Sequence, residues 1–374
     1  MKKRFWMPVA ITILAAAAAL LLNSYLQASL LILDAANLRG LAGQFPGWLG
    51  HQVRTRDVEV PTRYGNIQGR LYIPSGSPKA AVIVVHGLHA AGIAEERLGP
   101  FARKVAARGM LVLTPEMEDL RHYRITPKTT DQIEDSVRWL SEEKRFVKSN
   151  RVGLVGISFS GGLSIVAAGR ASIRDRVSFV LSLGGHGDLD RTGKYLCTGQ
   201  LPGGRGYWKP HDYAVGVLLL NLSDRLVPLS QSGQLAEGIT AFLQEDDQRG
   251  RKMIEELPEP ASQILRWVDQ RDLAKVGPLM LSQLPYFAAD PSLSPERSGP
   301  PAAPVFLLHG QGDRLIPSCE TESLAKYLHG KTEVHWLITP LISHVELEQP
   351  PKLRDIWNLL SLWEKIMRVA GRST

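Results

Sequence analysis

Short, mostly apolar runs alternate along this chain with longer segments whose apolar residues recur at helical spacing. The runs AAVIVV, MLVLTP, VGLVGI and VSFVLSL fall between residues 80 and 183, and amphipathic segments such as DQIEDSVRWLSEEKR separate them. Apolar runs of this length indicate strands buried on both faces, and the intervening helices indicate parallel connections. The pattern predicts an α/β fold, with a mostly parallel sheet flanked by helices.

The alternation has a clear beginning and one clear interruption. It begins at Val53 with VEVPTRYGNIQGRLYIP, which predicts two short strands joined by a hairpin turn at Gly65-Asn66. Between residues 186 and 300 it gives way to sequence richer in glycine, proline and charge, and it then resumes with VFLLHG. We therefore predict a core formed by residues 53–185 and 301–374, with residues 186–300 inserted as a largely helical cap.

The N-terminus carries a pattern of its own. The cations of KKR, at positions 2 to 4, precede about eighteen mostly apolar residues, from Phe5 to Leu22. A helix of that length spans about 27 Å, which matches the hydrocarbon core of a bilayer. We predict that residues 1–24 form a membrane anchor that holds the catalytic domain on the extracytoplasmic side. The alternative is a cleaved signal and a secreted protein, because Pro8 shortens the apolar run; no A-x-A-like cleavage site follows it.

Residues 25–52, between this segment and the core, are predicted to form a juxtamembrane helix and a linker. The composition of the whole chain is that of a globular protein, 44% hydrophobic and 22% charged. The net charge of +7 comes with no zinc-finger spacing and no block of interleaved cations and aromatics, so we expect no nucleic-acid partner. Cys197 and Cys319 are too few for a disulfide framework and are not spaced as metal ligands, which leaves a single long-range disulfide open.

In a parallel sheet, reactive residues are expected at the carboxyl ends of the strands. The segment GISFSGG, residues 156–162, follows a strand and opens a helix, and both of its serines fit the G-x-S-x-G pattern with one substitution. The strand ends directly before Ser158, which places this residue at the apex of the turn and Ser160 in the first helical turn. We predict that Ser158 is a nucleophile; the alternative is that both serines only cap the helix.

A nucleophilic serine needs a base, and the base needs a carboxylate to orient it. VFLLHGQGDRLIP ends a strand and offers Asp313, and ISHVE follows the next strand and offers His344. Asp224 in LLLNLSDRLVP is an alternative carboxylate, but no strand and histidine follow it. The predicted catalytic residues are therefore Ser158, Asp313 and His344.

The segments AAVIVVHG, RVGLVGISFSGG, VFLLHGQGDRLIP and ISHVE resemble the α/β-hydrolase superfamily, most closely its esterase and serine-aminopeptidase-like branches. The G-x-x-D-x-x-x-P shape of Gly310 to Pro317 is similar to the acid loop of that family, whereas Ser160 stands where the family has glycine. The resemblance covers residues 53–185 and 301–370. It implies that the backbone N–H groups of Leu88 and Phe159 bind the oxyanion, and that no cofactor takes part.

These observations predict a membrane-tethered serine hydrolase that cleaves acyl esters through an acyl-enzyme, as carboxylesterases and lipases do. Its expected partner is a small-molecule acyl substrate. Lipid-like substrates are included, because the run AVGVLLLNL in the predicted cap could cover an apolar pocket. A serine aminopeptidase-like peptidase and a non-catalytic hydrolase-like binding protein are the alternatives. His89, His122 and His186 are interpreted as loop residues, since they lack metal-ligand spacing, and no metal site is predicted.

Overall fold

The computed structural model of the protein describes residues 50–143, 150–342 and 352–371. The predicted anchor, residues 1–24, lies outside these ranges, as does most of the predicted juxtamembrane segment. Within the three described ranges, no helix combines the length and the apolar character that crossing a bilayer requires.

The described residues form one sheet of eight strands: β1 (Val53–Thr62), β2 (Gly65–Pro74), β3 (Ala80–Val85), β4 (Met110–Pro115), β5 (Val152–Ile157), β6 (Val177–Leu183), β7 (Val305–Gly310) and β8 (Val334–Thr339). Their order across the sheet is β1-β2-β4-β3-β5-β6-β7-β8. β2 runs antiparallel to both of its neighbours, and every other pair is parallel. The predicted α/β fold with a mostly parallel sheet is confirmed.

Helices cover both faces of this sheet: α1 (Leu98–Ala107), α2 (Glu118–Arg121), α3 (Pro127–Glu142), α4 (Phe159–Gly169), α5 (Leu189–Thr198), α6 (Asp212–Leu226), α7 (Leu229–Leu243), α8 (Asp247–Glu256), α9 (Ala261–Asp269), α10 (Leu273–Phe287), α11 (Cys319–Leu328) and α12 (Leu353–Gly371). Successive residues of β3 show how the two faces are filled. Ile83 packs with the apolar side of α3 and α4, whereas Val82 and Val84 pack with α1 and α12. A strand buried on both faces reads as a continuous apolar run, which is why the sequence reveals these strands.

Six α-helices, α5 to α10, lie between β6 and β7 within the described range 150–342. Their apolar side chains, Leu219, Ile239 and Leu265 among them, are buried in the same cluster as residues of the sheet. These helices occupy the stretch where the sequence predicts a largely helical cap. The division of the chain into a core and a cap stays a prediction.

The two cysteines are free thiols, and both are buried. Cys197 lies in α5 and Cys319 opens α11. Burial disfavours the thiolate and raises the pKa of Cys197 to about 12. Because both thiols are free, the long-range disulfide that the sequence left open is not formed.

The hairpin at the sheet edge turns two residues earlier than its sequence predicts. Thr62 pairs with Gly65 across the ladder, so the turn residues are Arg63 and Tyr64, and Gly65 and Asn66 open β2. The prediction of a Gly65-Asn66 turn is wrong, because the turn is held from outside the hairpin. Arg63 bonds through its backbone N–H and its guanidinium to Asp135 in α3, 72 residues away.

Two buried carboxylates in α3 fix this hairpin to the core. The guanidinium of Arg63 lies 2.8 Å from Asp135 Oδ1 and 2.9 Å from Glu134 Oε2, and Arg170 lies 2.7 Å from the same Glu134 oxygen. Burial opposes ionisation of Glu134, but hydrogen bonds from Ser172, Arg170 and Arg63 outweigh it and lower its pKa to about 2. The cluster is therefore charged at neutral pH and stabilises the fold.

Arg63→Met is expected to lower the free energy of unfolding by about 2 kcal/mol at pH 7. It removes a partner from two buried carboxylates, and the partial exposure of Arg63 places the loss below that of a fully buried pair. The stabilisation from a lowered carboxyl pKa is complete above the unfolded value near 4.3 and is lost as pH falls towards about 2. Urea unfolding measures the free energy of unfolding of the variant and of wild type at pH 7 and at pH 3. The difference between the two proteins should be smaller at pH 3.

Arg70→Met is the matched control for this prediction. Arg70 lies on the same hairpin and its side chain is as exposed as that of Arg63, at 38%, but its partner Asp57 is 66% exposed. Exposed ion pairs contribute little to stability, so the control should lose much less than Arg63→Met. If the two variants lost the same free energy of unfolding, the proposal that the buried carboxylates make Arg63 stabilising would be contradicted.

Candidate active site

Ser158 lies at the apex of the turn between β5 and α4, with φ 59° and ψ −133°. A positive φ is rare for a residue other than glycine, and such strain is retained where the surrounding structure imposes it, often at functional sites. The Ser158 N–H donates to the Leu183 carbonyl at 2.7 Å, and the Ser158 carbonyl accepts from the Gly161 N–H at 2.8 Å. The turn is thus held between the end of β6 and the first turn of α4.

The glycine two residues before Ser158 is required by close packing of the backbone. A Cβ atom at Gly156 would lie 2.3 Å from the carbonyl oxygen of Ser160, closer than two such atoms can approach. Only glycine fits where the helix folds back this tightly over the strand. The strand–turn–helix context that a nucleophile elbow needs is present at Ser158.

Ser160 has a structural role in the same turn. Its side chain is fully buried, and its Oγ accepts from the Ile157 N–H at 2.8 Å. The same hydroxyl lies 3.0 Å from the Val85 carbonyl and 2.8 Å from the Ile157 carbonyl, either of which can accept its proton. Ser160 therefore ties the elbow to β3, and its hydroxyl is engaged with backbone. The sequence indicated only that this residue is small.

Asp313 follows the end of β7, as its place in the sequence predicts. The carboxylate is nearly buried, 6% exposed, and its Oδ1 accepts from the Leu315 N–H at 2.8 Å and the Ile316 N–H at 3.1 Å. A Cβ atom at Gly184 would lie 3.3 Å from Oδ2, so the other carboxylate oxygen faces the end of β6. Since Leu183 in β6 also accepts from Ser158, the two predicted catalytic residues meet the same strand end.

His309 lies beneath Asp313 and was not singled out from the sequence. It is completely buried, its Nε2 is 2.8 Å from the Ile316 carbonyl, and its Nδ1 is 2.7 Å from the Thr321 hydroxyl. A carbonyl can only accept, so Nε2 carries a proton. His309 thus supports the loop that carries Asp313. A histidine inside the apolar run VFLLHG was the available signal.

The structure describes the alternative carboxylate, Asp224, but not the predicted base, His344. His344 lies outside the described residues, so its place beside Asp313 stays a prediction. Asp224 is exposed and lies in α6, not at the carboxyl end of a strand. The structure therefore gives Asp224 none of the surroundings that Asp313 has.

The loop after β3, which carries the predicted oxyanion donor Leu88, adjoins the elbow. A Cβ atom at Gly87 would lie 3.4 Å from the Ile157 carbonyl oxygen and 3.6 Å from Ser158 Cβ. The second predicted donor, Phe159, is the first residue of α4, where N–H groups are free of intrahelical partners and the helix dipole favours negative charge.

His86 fixes the peptide that precedes Leu88. Its Nδ1 lies 2.7 Å from the Gly87 carbonyl, and its Nε2 lies 3.1 Å from the Met117 N–H. Because the carbonyl accepts and the amide donates, Nδ1 carries the proton. His86 is 2% exposed, which fits the turn-fixing role that a histidine in this loop can have.

A cavity of about 730 Å³ opens beside Ser158. Its buried lining is mostly apolar and includes Leu88, Phe159, Ala214 and Val217. Its exposed lining is mostly charged and includes Arg97, Glu245, Asp247, Arg251 and Arg271. The two ends of the run AVGVLLLNL lie in different surroundings. Its beginning lines this cavity, and Leu219, Leu220 and Leu222 lie in the core.

The remaining histidines singled out from the sequence are in different surroundings. His89 lines the cavity, and His122 is exposed just after α2. His186 is fully buried: its Nε2 lies 2.7 Å from the Leu293 carbonyl, its ring packs 5.2 Å from that of Phe159, and burial lowers its pKa. Among the residues that the structure describes, no group of three or more His, Cys, Asp or Glu side chains could hold a metal ion.

Comparisons by sequence find no match, either among protein-family models or among curated proteins. Solved structures are similar in fold. One is brefeldin A esterase, described as a bacterial homologue of human hormone-sensitive lipase. It matches with a TM-score of 0.51 and 14% sequence identity, and the match covers 93% of this chain and 86% of that chain. The thermostable carboxylesterase EstE1 from a metagenomic library is also similar: TM-score 0.47, 14% identity, 91% of this chain and 94% of that one. With its strand order, the chain has the α/β-hydrolase fold, as the sequence resemblance implies.

Proposed function

We propose that the protein is a serine hydrolase that cleaves acyl esters and uses Ser158 as its nucleophile. The observation that supports this most directly is the positive φ of Ser158 at the β5–α4 turn of an α/β-hydrolase fold. Strain of this kind presents a serine hydroxyl above the carboxyl edge of the sheet, where a substrate can reach it. The structure of brefeldin A esterase, which is similar in fold, supports an ester as the substrate.

The proposed reaction has two steps. Ser158 Oγ attacks the acyl carbonyl while His344 takes its proton, and the proton then passes to the oxygen of the leaving alcohol. Asp313 accepts a hydrogen bond from the imidazole and stabilises the imidazolium. Water then attacks the acyl-enzyme by the same route in reverse. In both steps the N–H groups of Phe159 and Leu88 stabilise the charge on the carbonyl oxygen.

The apolar interior of the cavity favours an apolar acyl group, and its charged mouth favours a polar or solvated leaving group. p-Nitrophenyl esters of graded acyl length, compared with aminoacyl p-nitroanilides, test this. We expect ester hydrolysis with kcat/KM rising with acyl length until the cavity is filled, and slow amide cleavage. Faster cleavage of the anilides would favour the peptidase alternative. Folded protein that cleaves neither would favour the binding protein.

We also propose that a single N-terminal helix anchors the protein in a membrane, with the catalytic domain on the extracytoplasmic side. The charge and apolar pattern of residues 1–24 supports this. A reporter enzyme that works only outside the cytoplasm, fused after Thr374, should be active in the membrane fraction. Activity in the medium would favour a cleaved signal and a secreted protein. Activity only of a cytoplasmic reporter would contradict both.

A further inference from the structure

The first turn of α6 contacts both loops that flank Ser158. The Tyr213 hydroxyl donates to the Leu88 carbonyl at 2.6 Å. The His211 N–H donates to the Arg314 carbonyl at 3.1 Å, one residue after Asp313. A helix of the insertion therefore holds the loop of the proposed oxyanion donor on one side and the loop of the proposed catalytic acid on the other.

The Leu88 N–H is fixed by what its neighbours bind. A trans peptide is planar, so the N–H of Leu88 points opposite to the carbonyl of Gly87, which accepts from His86 Nδ1 at 2.7 Å. The next carbonyl, that of Leu88 itself, accepts from Tyr213. The peptide plane before Leu88 is thus held by His86. The plane after it is held by Tyr213 and by a 3.3 Å bond from the His89 N–H to the Leu120 carbonyl, so the Leu88 N–H cannot turn without straining these bonds.

The environment of Tyr213 keeps its hydroxyl a donor. Burial raises the pKa of Tyr213, so the hydroxyl stays protonated over the working pH range. The ring packs edge to face on Tyr123, with centroids 6.0 Å apart, and lines the cavity. These ring contacts do not depend on the hydroxyl, so the hydrogen bond can be removed without removing the packing.

We propose that Tyr213 is a positioning residue whose hydroxyl fixes the Leu88 peptide for oxyanion binding, so that α6 supports turnover as well as forming the cavity. This inference rests on the proposed hydrolase function. Oxyanion donors act by being held in place before the charge develops, and a displacement of about 1 Å can cost about 100-fold in rate. An effect through Leu88 should therefore fall on the transition state and leave substrate binding largely unchanged.

Tyr213→Phe tests this, with Tyr327→Phe as the matched control. Tyr327 in α11 also donates to a backbone carbonyl, that of Ser298 at 2.7 Å, and does not line the cavity. For a p-nitrophenyl ester, we expect Tyr213→Phe to lower kcat by about 10- to 100-fold and to change KM by less than about 3-fold. Affinity for a trifluoromethyl ketone, which forms a tetrahedral oxyanion adduct, should fall by the same factor as kcat/KM. The control should change neither.

Each variant loses one hydrogen bond from a hydroxyl to a carbonyl, so we expect similar melting temperatures. Measuring them shows whether the two variants are equally folded. The inference is overturned if Tyr213→Phe keeps the kcat of the control. It is also overturned if the change falls on KM while ketone affinity is retained, since that would mean Tyr213 only lines the cavity. Wild-type protein that hydrolyses no ester and forms no ketone adduct would instead overturn the proposed function, and this inference with it.

Discussion

Ser158→Ala is expected to lower kcat for ester hydrolysis by about 10⁵- to 10⁶-fold and to leave the fold intact. Alanine keeps the backbone and Cβ of the strained turn and removes only the oxygen that forms the acyl-enzyme. The hydrogen bonds that hold the turn, to Leu183 and from Gly161, are made by backbone atoms and survive the change. Steady-state kinetics on a p-nitrophenyl ester, with circular dichroism to check the fold, measure the effect.

Ser160→Ala is the control, because it removes a hydroxyl from the same turn, two residues after Ser158. Its loss leaves the Ile157 N–H without the acceptor it has in the wild type, which should cost about 1–3 kcal/mol of stability. Turnover should remain within about 10-fold of wild type, because the Ser160 hydroxyl faces backbone. An inactive Ser160→Ala beside an active Ser158→Ala would reverse the assignment of the two serines.

Asp313→Asn is expected to lower kcat by about 10⁴-fold with little change in the fold. The amide oxygen of asparagine can take the place of Oδ1 and accept from the Leu315 and Ile316 N–H groups, so the loop is kept. The amide nitrogen then replaces Oδ2 and donates instead of accepting, which would leave the proposed base, His344, without the acceptor that we propose orients it. Kinetics on the same ester, compared with wild type, give the factor.

Asp224→Asn controls for the loss of a carboxylate as such. Asp224 is exposed on α6 and is the alternative acid that the sequence offered. Its replacement should leave kcat within about 2-fold of wild type, since a surface charge at such a position is screened by solvent. A loss of activity confined to Asp224→Asn would move the catalytic acid from the end of β7 to α6.

The sheet could be predicted from the sequence because burial on both faces leaves a local signature. β3, β4 and β7 are buried at every position; β3 is an unbroken apolar run, and β4 and β7 are apolar over their first four residues. The positions of Ser158 and Asp313 near strand ends could be predicted for the same reason, since Ser158 directly follows β5 and Asp313 lies in the loop that follows β7. The nucleophile turn also has local requirements, of which Gly156 is the clearest.

What the sequence did not reveal depends on partners that are distant along the chain. The hairpin turn is shifted because Arg63 binds Asp135, 72 residues away. The hydroxyl of Ser160 binds Val85 at a separation of 75 residues, and Tyr213 binds Leu88 at 125. No periodicity or spacing encodes such pairs, because they are created only when the sheet brings its strand ends together.

Labelling with a fluorophosphonate probe tests the central claim most directly, because the probe bonds only to a serine that has been activated as a nucleophile. Folded wild-type protein would be treated with the probe, digested and mapped by mass spectrometry, with heat-denatured protein as the control. We expect one modified serine, Ser158, and no modification after denaturation. A label on Ser160, or folded protein in which no serine is labelled, would contradict it.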